Sequence, residues 1–345
     1  MQDRYGREID YMRISVTDRC NLRCVYCMPH GTVGTGRDCL NDDEIVTTVR
    51  AAAGLGIRYL RLTGGEPLLR PGLTGLIRRL SGIEGIETID LTTNGILLAE
   101  RAGELFKAGL NGVNVSLDTT DEAVFAAITG CKEIAGYRED SCGNECNNRN
   151  CAAENPFSAE SVLKGIDAAA EAGLKTKINC VLTEINRDSW QELTKLTCER
   201  CVDVRFIELM PIGSGKEHTG VSNEFLMKLI AGRYGEPETV SEPRGHGPAR
   251  YFRLPGAKGC IGFVSAVHGK FCDFCNRIRL TSEGVLKPCL CYDSDIDLKS
   301  ILRKGATADE LAKVICEAIS NKPKAHCFEV PGQISEIRSM SQIGG

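Results

Sequence analysis

The 345-residue chain lacks several features that would assign it to a class at once. It has no run of about 18 apolar residues, so no membrane-spanning helix is predicted. Residues 1–10 are polar, so no secretory signal is predicted there. Aromatic residues make up only 6%, and the net charge of −4 argues against a generally basic nucleic-acid-binding protein. We therefore expect a cytoplasmic protein that binds neither nucleic acid nor a membrane.

Cysteine is the residue present in excess, with 18 copies. Disulfide-rich chains are usually short, secreted and in need of bridges to replace a missing core. A chain of this length can bury a core without them. In a reducing compartment, so many cysteines more often indicate metal or redox chemistry.

Apolar and β-branched runs alternate with segments of helical period over the first two thirds of the chain. Six strands are predicted at residues 11–16, 59–64, 88–93, 112–117, 175–182 and 202–209. Helices are predicted at 42–55, 97–110 and 159–173, the last capped by Ser158. Such alternation gives parallel βαβ units, and six units are too few for an eight-stranded barrel. The predicted fold class is α/β, a partial (β/α)6 TIM-like barrel or curved open sheet, with catalytic residues at the C-terminal ends of strands.

The alternation ends near residue 230. Residues 236–248 are rich in proline, glycine and charge, and short strands at 249–254, 261–265 and 278–281 precede helices at 295–303 and 307–319. We therefore expect a barrel at 1–230 and a C-terminal α+β region at 231–345. A segment without clear period, at about residues 131–156, is predicted to be an insert in the barrel.

Three cysteines follow the first predicted strand closely: Cys20, Cys24 and Cys27. One loop can therefore place three thiolates around a single cluster. Structural zinc normally takes four protein ligands, and a [4Fe–4S] cube normally takes four cysteines. Three local ligands leave one iron of a cube open to bind something else. The alternative is a zinc site completed by His30 or Cys39.

The spacing Cys20-x-x-x-Cys24-x-x-Cys27, with Tyr26 before the last cysteine, resembles the signature of the radical S-adenosylmethionine (SAM) family. The Gly-Gly-Glu-Pro sequence at residues 64–67, after the second strand, resembles that family's SAM-binding turn, where glycine lets the backbone approach a ligand. The resemblance implies that the open iron binds SAM. It also implies that one electron from the cluster cleaves SAM to methionine and a 5′-deoxyadenosyl radical.

A second cysteine triad consists of Cys272, Cys275 and Cys289. If it holds a [4Fe–4S] cube, three ligands again leave one iron of the cube open. Strand alternation places Arg277 and Arg279, which lie within it, on one face. Two guanidiniums beside a cluster suit a polyphosphate. A solvated pair on an edge strand is the alternative.

Together these features resemble the GTP 3′,8-cyclase family, lyases of molybdenum cofactor biosynthesis. The match covers nearly the whole chain, through residues 13–20, 61–63, 91–95, 114–118, 177–179, 205–211 and 340–345. It implies a second [4Fe–4S] cluster whose open iron takes the guanine base. The adenosyl radical would abstract the ribose 3′ hydrogen of GTP, and the C3′ radical would add to guanine C8, giving (8S)-3′,8-cyclo-7,8-dihydroguanosine 5′-triphosphate. An electron donor such as flavodoxin or ferredoxin is also implied.

The resemblance assigns residues as well. Cys20, Cys24 and Cys27 would hold the SAM cluster, and Cys272, Cys275 and Cys289 the second cluster. Positions that match SAM contacts are Tyr26, Gly65, Ser116 and Met210. Positions that match GTP contacts are Arg13, Arg61, Thr92, Lys177, Arg205, Arg277 and Arg279. The resemblance implies catalytic roles for Arg277, Arg279, Gly344 and Gly345. It also implies that the two terminal glycines reach into the active site.

The chain departs from the family at two places. Tyr59 stands where the family usually has lysine, which leaves one phosphate contact unassigned. The insert is also foreign to the family, and it contains Cys131, Cys142, Cys146 and Cys151. These cysteines either order the segment around Zn²⁺ or are incidental residues of a surface loop.

Two other classes remain open at this point. One is a different radical SAM enzyme with an auxiliary cluster, such as a peptide-modifying enzyme. The other is an iron–sulfur electron carrier or a zinc-binding interaction module, which would need four ligands per site. The lone histidines His218, His246, His268 and His326 are assigned to no metal. The oligomeric state does not follow from the sequence, which is compatible with a homodimer.

Overall fold

A computed structural model describes residues 1–29, 39–131 and 156–344. Its strands are β1 (Tyr11–Ser15), β2 (Tyr59–Thr63), β3 (Thr88–Thr93), β4 (Gly112–Ser116), β5 (Lys175–Val181), β6 (Asp203–Ile207), β7 (Glu238–Val240), β8 (Arg250–Arg253), β9 (Ile261–Val264), β10 (Arg277–Leu280), β11 (Val285–Lys287) and β12 (Ile296–Asp297). Its α-helices are α1 (Asp42–Gly54), α2 (Leu73–Ser81), α3 (Leu98–Lys107), α4 (Glu122–Thr129), α5 (Ala159–Glu171), α6 (Trp190–Glu199), α7 (Asn223–Tyr234), α8 (Leu298–Arg303), α9 (Ala308–Ser320) and α10 (Met340–Ile343). None of these helices is long and apolar enough to cross a membrane.

The strands form one sheet in the order β12-β11-β10-β1-β2-β3-β4-β5-β6-β9-β8-β7. Strands β1 to β6 pair in parallel, as predicted for a partial barrel. The C-terminal region extends this wall at both ends, because β10 pairs in parallel with β1 and β9 pairs in parallel with β6. The remaining four strands attach outside these in antiparallel fashion. The sequence does not predict that β9 and β10 complete the wall, since pairing between distant segments leaves no local signal.

Alternation along the parallel strands separates an apolar face from a polar one. Met12 and Ile14 of β1 and Leu60 of β2 are fully or almost fully buried in the main apolar core, together with helix residues such as Ile45. The residues between them, Arg13 and Arg61, point to the opposite, inner face of the sheet. We call the space against that inner face the lumen.

Local signals fix the helix ends. Asn41 and Glu44 form a reciprocal capping box at the start of α1. The predicted cap of α5 is confirmed, because the Ser158 side chain accepts a hydrogen bond from Ser161 N at 3.1 Å. These caps satisfy backbone donors that a helix start leaves unpaired. The helices consequently begin at defined residues and cover the outer, apolar face of the wall.

Candidate active site

The two cysteine triads lie at opposite ends of the lumen. Cys20, Cys24 and Cys27 follow β1 and so lie at the C-terminal ends of the parallel strands. Cys272 and Cys275 precede β10, which runs parallel to β1, and therefore lie at the N-terminal ends. Because β11 runs antiparallel to β10, the chain returns to that same end at Cys289. Strand residues that face the lumen are thus bounded by a triad at each end.

The glycines after β2 fit closely against the loop that carries the first triad. Gly65 N donates to Thr17 O at 2.9 Å, and Glu66 N donates to Arg19 O at 2.6 Å. A Cβ at Gly64 would overlap Thr17 O, and one at Gly65 would overlap Arg19 O. From the sequence, these glycines are expected to allow close approach of the backbone to a ligand. In the structure, the approach of the cysteine loop already requires them.

Glu66 joins the ends of β2 and β3. Its carboxylate is fully buried and accepts hydrogen bonds from Thr93 Oγ1 and Asn94 N, both at 2.7 Å. Burial raises the pKa of Glu66 to about 7. Asn94 in turn donates to Asn21 Oδ1 at 2.7 Å and places its Nδ2 3.9 Å from Cys20 Sγ. Glu66 is therefore a positioning residue for the cysteine loop, a role that the motif alone does not reveal.

The donor set of the first triad suits an iron–sulfur cluster. Burial raises the pKa of Cys20 to about 12 and that of Cys27 to about 11, so these thiols need a cationic partner to ionise. In the described ranges, no three His, Cys, Asp or Glu side chains are arranged to hold a single metal ion. A cube instead distributes its thiolates over separate irons.

The zinc alternative loses one of its two proposed ligands. Cys39 Sγ donates to Asp18 Oδ1 at 3.8 Å. His30, the other candidate, lies outside the described residues. The Cys39 thiol is thus engaged with Asp18, whereas the zinc alternative needs either this thiol or His30 as the fourth protein ligand.

The predicted SAM positions gather at the C-terminal ends of the strands. Tyr26 and Ser116 line a small cavity together with Cys24 and Asp118. Tyr26 Oη donates to Asp118 Oδ2 at 2.5 Å, and burial raises the pKa of Asp118 to about 6. Gly65 lies in the turn after β2, and Met210 follows β6. Asp118 is a site residue that sequence reasoning missed, although it stands two residues after Ser116 in a matched segment.

The predicted GTP positions share the lumen face. Arg13 pairs in register with Arg61 on one side and with Arg279 on the other, so three adjacent strands each contribute a guanidinium. Burial, reinforced by the charge of Arg277, lowers the pKa of Arg279 to about 10. Burial and the charge of Arg279 also hold the pKa of Arg13 well below its ordinary value. Like charges are therefore packed together where an anion would stabilise them.

Protein acceptors balance only part of this charge. Asp90 pairs with Arg61 at 2.7 Å, the Tyr11 hydroxyl accepts from Arg61 Nε, and Asn179 Oδ1 accepts from Arg205 Nη2 at 2.5 Å. Among the described residues, four predicted GTP positions keep a buried polar atom without a hydrogen-bond partner: Arg61 Nη1, Thr92 Oγ1, Arg205 Nε and Arg277 Nε. Such clustering is unusual for buried groups and fits a site for a polyanion.

Sequence reasoning missed the lumen acceptors Tyr11, Asp90 and Asn179. Each stands two positions along a strand from a predicted GTP contact, and therefore on the same face. That spacing is the signal that could have found them.

The second triad lies in a more cationic setting than the first. Cys275 N donates to Cys272 O at 3.1 Å, and Lys322 Nζ donates to Arg277 O at 2.9 Å. Burial opposes ionisation of Cys275, but the charges of Lys322 and Arg277 outweigh it and lower the pKa of this thiol. Cationic neighbours favour thiolates, which are the form that binds metal. Burial raises the pKa of Cys272, so the cationic neighbours favour the thiolate at Cys275 in particular, and this thiolate fits a second cluster.

The C-terminal segment reaches the lumen from the end that holds the first triad. Arg279 Nη1 donates to Gly344 O at 3.0 Å. Gly344 has φ +83°, and a Cβ there would overlap Thr63 Oγ1. A hydrogen bond from the Ser341 backbone opposes the rise in the pKa of Cys27. The segment therefore touches both the first triad and the arginines, while Gly345 lies outside the described residues.

A second apolar cluster holds this segment in place. Its buried members are Ile212, Leu290, Cys291, Cys327, Phe328 and Ile343, and Met210 and Met340 pack against it. The side chain of Ile343 thus anchors α10. Packing of this helix and the hydrogen bond from Arg279 together position Gly344.

Most of the insert lies outside the described residues, including Cys142, Cys146 and Cys151. Cys131 is described: it is buried, and its Sγ lies 2.9 Å from Thr129 Oγ1. The hypothesis of a zinc-ordered insert stays a prediction.

Comparison with known proteins gives both family and fold. The model of the Radical SAM superfamily matches residues 14–197, and that of Molybdenum Cofactor Synthesis C matches residues 202–328. The GTP 3′,8-cyclase of Pelotomaculum thermopropionicum is 45% identical over 352 aligned positions, and that of Clostridium perfringens (strain 13 / Type A) is 41% identical over 351. Both alignments cover 100% of this chain and 100% of the relative.

A solved structure shares the fold. Streptococcus suis SuiB bound to S-adenosylmethionine superposes with a TM-score of 0.61. The match covers 97% of this chain and 77% of that one, at 14% identity. Likeness at this level concerns the architecture, and it agrees with the predicted partial barrel.

Proposed function

This chain belongs to the radical SAM superfamily and, within it, to the GTP 3′,8-cyclase family, and from that premise we propose how its residues share the reaction. The protein is a radical SAM lyase of molybdenum cofactor biosynthesis that uses SAM and iron–sulfur chemistry and acts on GTP. One observation carries the assignment of residues: cationic side chains line a lumen that has a cysteine triad at each end.

In this assignment, each triad holds one [4Fe–4S] cluster through three thiolates. Cys20, Cys24 and Cys27 belong to residues 1–230, which carry the SAM chemistry, and Tyr26, Gly65, Ser116 and Met210 contact SAM. When bound, the first cluster supplies the electron that cleaves SAM and generates the 5′-deoxyadenosyl radical. Cys272, Cys275 and Cys289 belong to residues 231–345 and would hold the second cluster, which would supply an open iron for the guanine base.

The side chains of β2, β5 and β6 bind the triphosphate. GTP carries about four negative charges, and Arg61, Lys177 and Arg205 face it from three strands. Buried donors without partners on Arg61 and Arg205 support this role. Binding is favourable because phosphate oxygens satisfy these donors and also relieve the repulsion between the guanidiniums. Arg13 and Thr92 complete the set from β1 and β3.

Arg277, Arg279 and the glycine tail arrange the reacting part of the substrate. Arg279 donates to the Gly344 carbonyl, so the arginine holds the tail in the lumen. A glycine fits where any side chain would overlap Thr63. The tail fills space that water would otherwise occupy, and exclusion of water protects a radical from side reactions.

Two further parts of the proposal concern partners. A flavodoxin or ferredoxin supplies the electron that SAM cleavage consumes. The chain works as a homodimer or as a monomer, and sedimentation equilibrium distinguishes these two states.

Anaerobic reconstitution with iron and sulfide, followed by GTP, SAM and dithionite, tests the function. We expect 5′-deoxyadenosine and the cyclised nucleotide to form in equal amounts. Cys24→Ala is the matched control, and it should form neither. Release of 5′-deoxyadenosine with GTP left intact would point to a different radical SAM reaction. An electron carrier would release no 5′-deoxyadenosine at all.

A further inference from the structure

Three residues cross the lumen at the N-terminal ends of the strands: Arg244, Gly245 and His246, which we call the strap. The Arg244 guanidinium makes two hydrogen bonds to Asp203, the first residue of β6, at 2.8 and 2.7 Å. Lys177 Nζ of β5 donates to Arg244 O. The strap is thus fixed to β5 and β6 at one side of the lumen.

His246 fixes the strap at the other side. Its ring stacks on Tyr59, with centroids 3.4 Å apart and planes 12° from parallel. Its Nε2 lies 3.4 Å from Thr88 Oγ1, and its carbonyl accepts from Asn276 Nδ2 at 3.3 Å. Tyr59 and Thr88 are the first residues of β2 and β3. His246 therefore sits at the rim of the lumen, where both strands begin.

The predicted phosphate cations surround the same rim. Burial lowers the pKa of His246. The carboxylates of Asp90 and Asp10 oppose this shift and the charges of Lys177 and Arg61 add to it, so both cations lie near the ring together with two carboxylates. One hydrogen bond of the Lys177 ammonium group is donated to the strap itself, at the Arg244 carbonyl. A phosphate oxygen is a stronger acceptor than a peptide carbonyl, because its charge adds to the hydrogen bond. A phosphate that reaches Lys177 thus also reaches the strap.

The sheet order gives the direction of the nucleotide. The second triad adjoins β10, whereas Arg61, Lys177 and Arg205 lie on β2, β5 and β6. A base at the second triad directs the phosphate chain away from β10 toward these strands. The strap spans β2, β3, β5 and β6, so the last phosphate of the chain is the one that meets it.

We propose that His246 is a further substrate-binding residue, which donates a hydrogen bond to the terminal phosphate of GTP and makes the site prefer a triphosphate to a diphosphate. Tyr59 offers no cation, but its ring holds the imidazole in place by stacking. The Tyr59 hydroxyl is hydrogen-bonded to Glu87, so His246 supplies the further donor at this position of the rim. This inference rests on the proposed function, since it assumes that GTP occupies the lumen.

Equilibrium binding of GTP and GDP to the anaerobically reconstituted protein, without SAM, tests the inference. His246→Ala should weaken GTP binding about tenfold, as expected for loss of one hydrogen bond to a charged group, and GDP binding less than about twofold. His218→Ala is the matched control, because His218 instead pairs with Glu184 at 2.7 Å. Tyr59→Phe keeps the stack and should leave both affinities unchanged.

The ratio of the GTP affinity to the GDP affinity shows whether His246 contacts the terminal phosphate or only stabilises the site. His246→Gln, which retains a donor, should recover part of the preference for GTP. Equal losses for GTP and GDP, or no loss for either, would overturn the role of His246 at the terminal phosphate. A wild-type protein that binds neither nucleotide would instead count against the proposed function itself.

Discussion

The Arg279 guanidinium donates to the Gly344 carbonyl at 3.0 Å, and this hydrogen bond ties the C-terminal segment to β10. Arg279 is also the register partner of Arg13 on β1. One side chain thus belongs both to the cationic wall of the lumen and to the anchorage of the tail. Changes at the tail and at the arginines should therefore affect the same reaction in different ways.

Gly344→Ala should abolish cyclisation while both clusters and the fold remain. The added Cβ would overlap Thr63 Oγ1, and φ +83° disfavours alanine in addition. Gly305→Ala is the matched control, since Gly305 has φ +84° with nothing within 4 Å of an added Cβ. Product formation and iron content are measured for both variants. Full activity in Gly344→Ala would show that glycine is not required at this position. Full activity after deletion of residues 344–345 would show that the tail is not needed for the reaction.

Arg277→Gln combined with Arg279→Gln should weaken GTP binding by at least about 100-fold, because hydrogen bonds to charged groups contribute roughly 1.5–3 kcal/mol each. SAM cleavage should survive, since neither arginine belongs to the predicted SAM contacts. The control pair is Arg78→Gln with Arg79→Gln on the exposed face of α2. Equilibrium dialysis with GTP is the measurement, and wild-type affinity in the first pair would contradict a role of these two arginines in GTP binding.

Anaerobic iron analysis should give about eight irons per chain, four for each cube. Cys272→Ala should reduce the count to about four, and Cys316→Ala on α9 should leave it at the wild-type value. The electron paramagnetic resonance signal of the SAM cluster should persist in Cys272→Ala. A count of four or fewer in the wild type, unchanged by the substitution, would eliminate the second cluster.

GTP affinity should fall as the pH rises above about 8. Burial and the charge of Arg205 lower the pKa of Lys177 from 10.5 to about 8, so the folded protein loses this cation there. The free energy of unfolding without GTP should rise between about pH 8 and 10.5, because the unfolded chain binds the proton more tightly than the folded chain. Lys177→Met should flatten both profiles. Lys175→Met, at an exposed position of β5, should flatten neither.

If the insert is ordered by zinc, Cys142→Ser combined with Cys146→Ser should remove about one zinc per chain and lower the melting temperature, yet spare cyclisation. Cys198→Ser with Cys201→Ser is a control of equal cysteine count: Cys198 lies partly exposed in the last turn of α6, and the exposed Cys201 follows that helix. Zinc is measured by atomic emission on protein purified without added metal. Unchanged zinc and unchanged melting in the first pair would leave the insert as a loop with incidental cysteines.

Local patterns predict the six core strands and three of the helices between them, α1, α3 and α5, whereas they do not predict α2, α4 and α6. Alternation such as Met12-Arg13-Ile14 identifies β1, and the same alternation also identifies Arg13 as a lumen residue. The cysteine spacing predicts which residues can share a cluster. These features depend on neighbours in the sequence, and for that reason they can be read from it.

The features of the fold and of the site that the sequence does not predict depend on contacts between distant segments. The pairing of β10 with β1, the bond between Tyr26 and Asp118, and the stacking of His246 on Tyr59 join segments that no local pattern relates. The roles of Gly64 and Gly65 also need the structure, because it is the cysteine loop that approaches them. Sequence spacing indicates which residue types are available, and packing decides which of them meet.

The wall of the lumen is completed by β9 and β10, which are synthesised long after the strands that they join. Strand β1 receives β10 from more than 260 residues downstream, and β6 receives β9 only after β7 and β8 have been made. Until then both borders of the six-stranded sheet expose unpaired backbone groups, which attract other chains. A growing chain thus passes through a stage with two open edges, which ends only when β10 pairs with β1 and β9 pairs with β6.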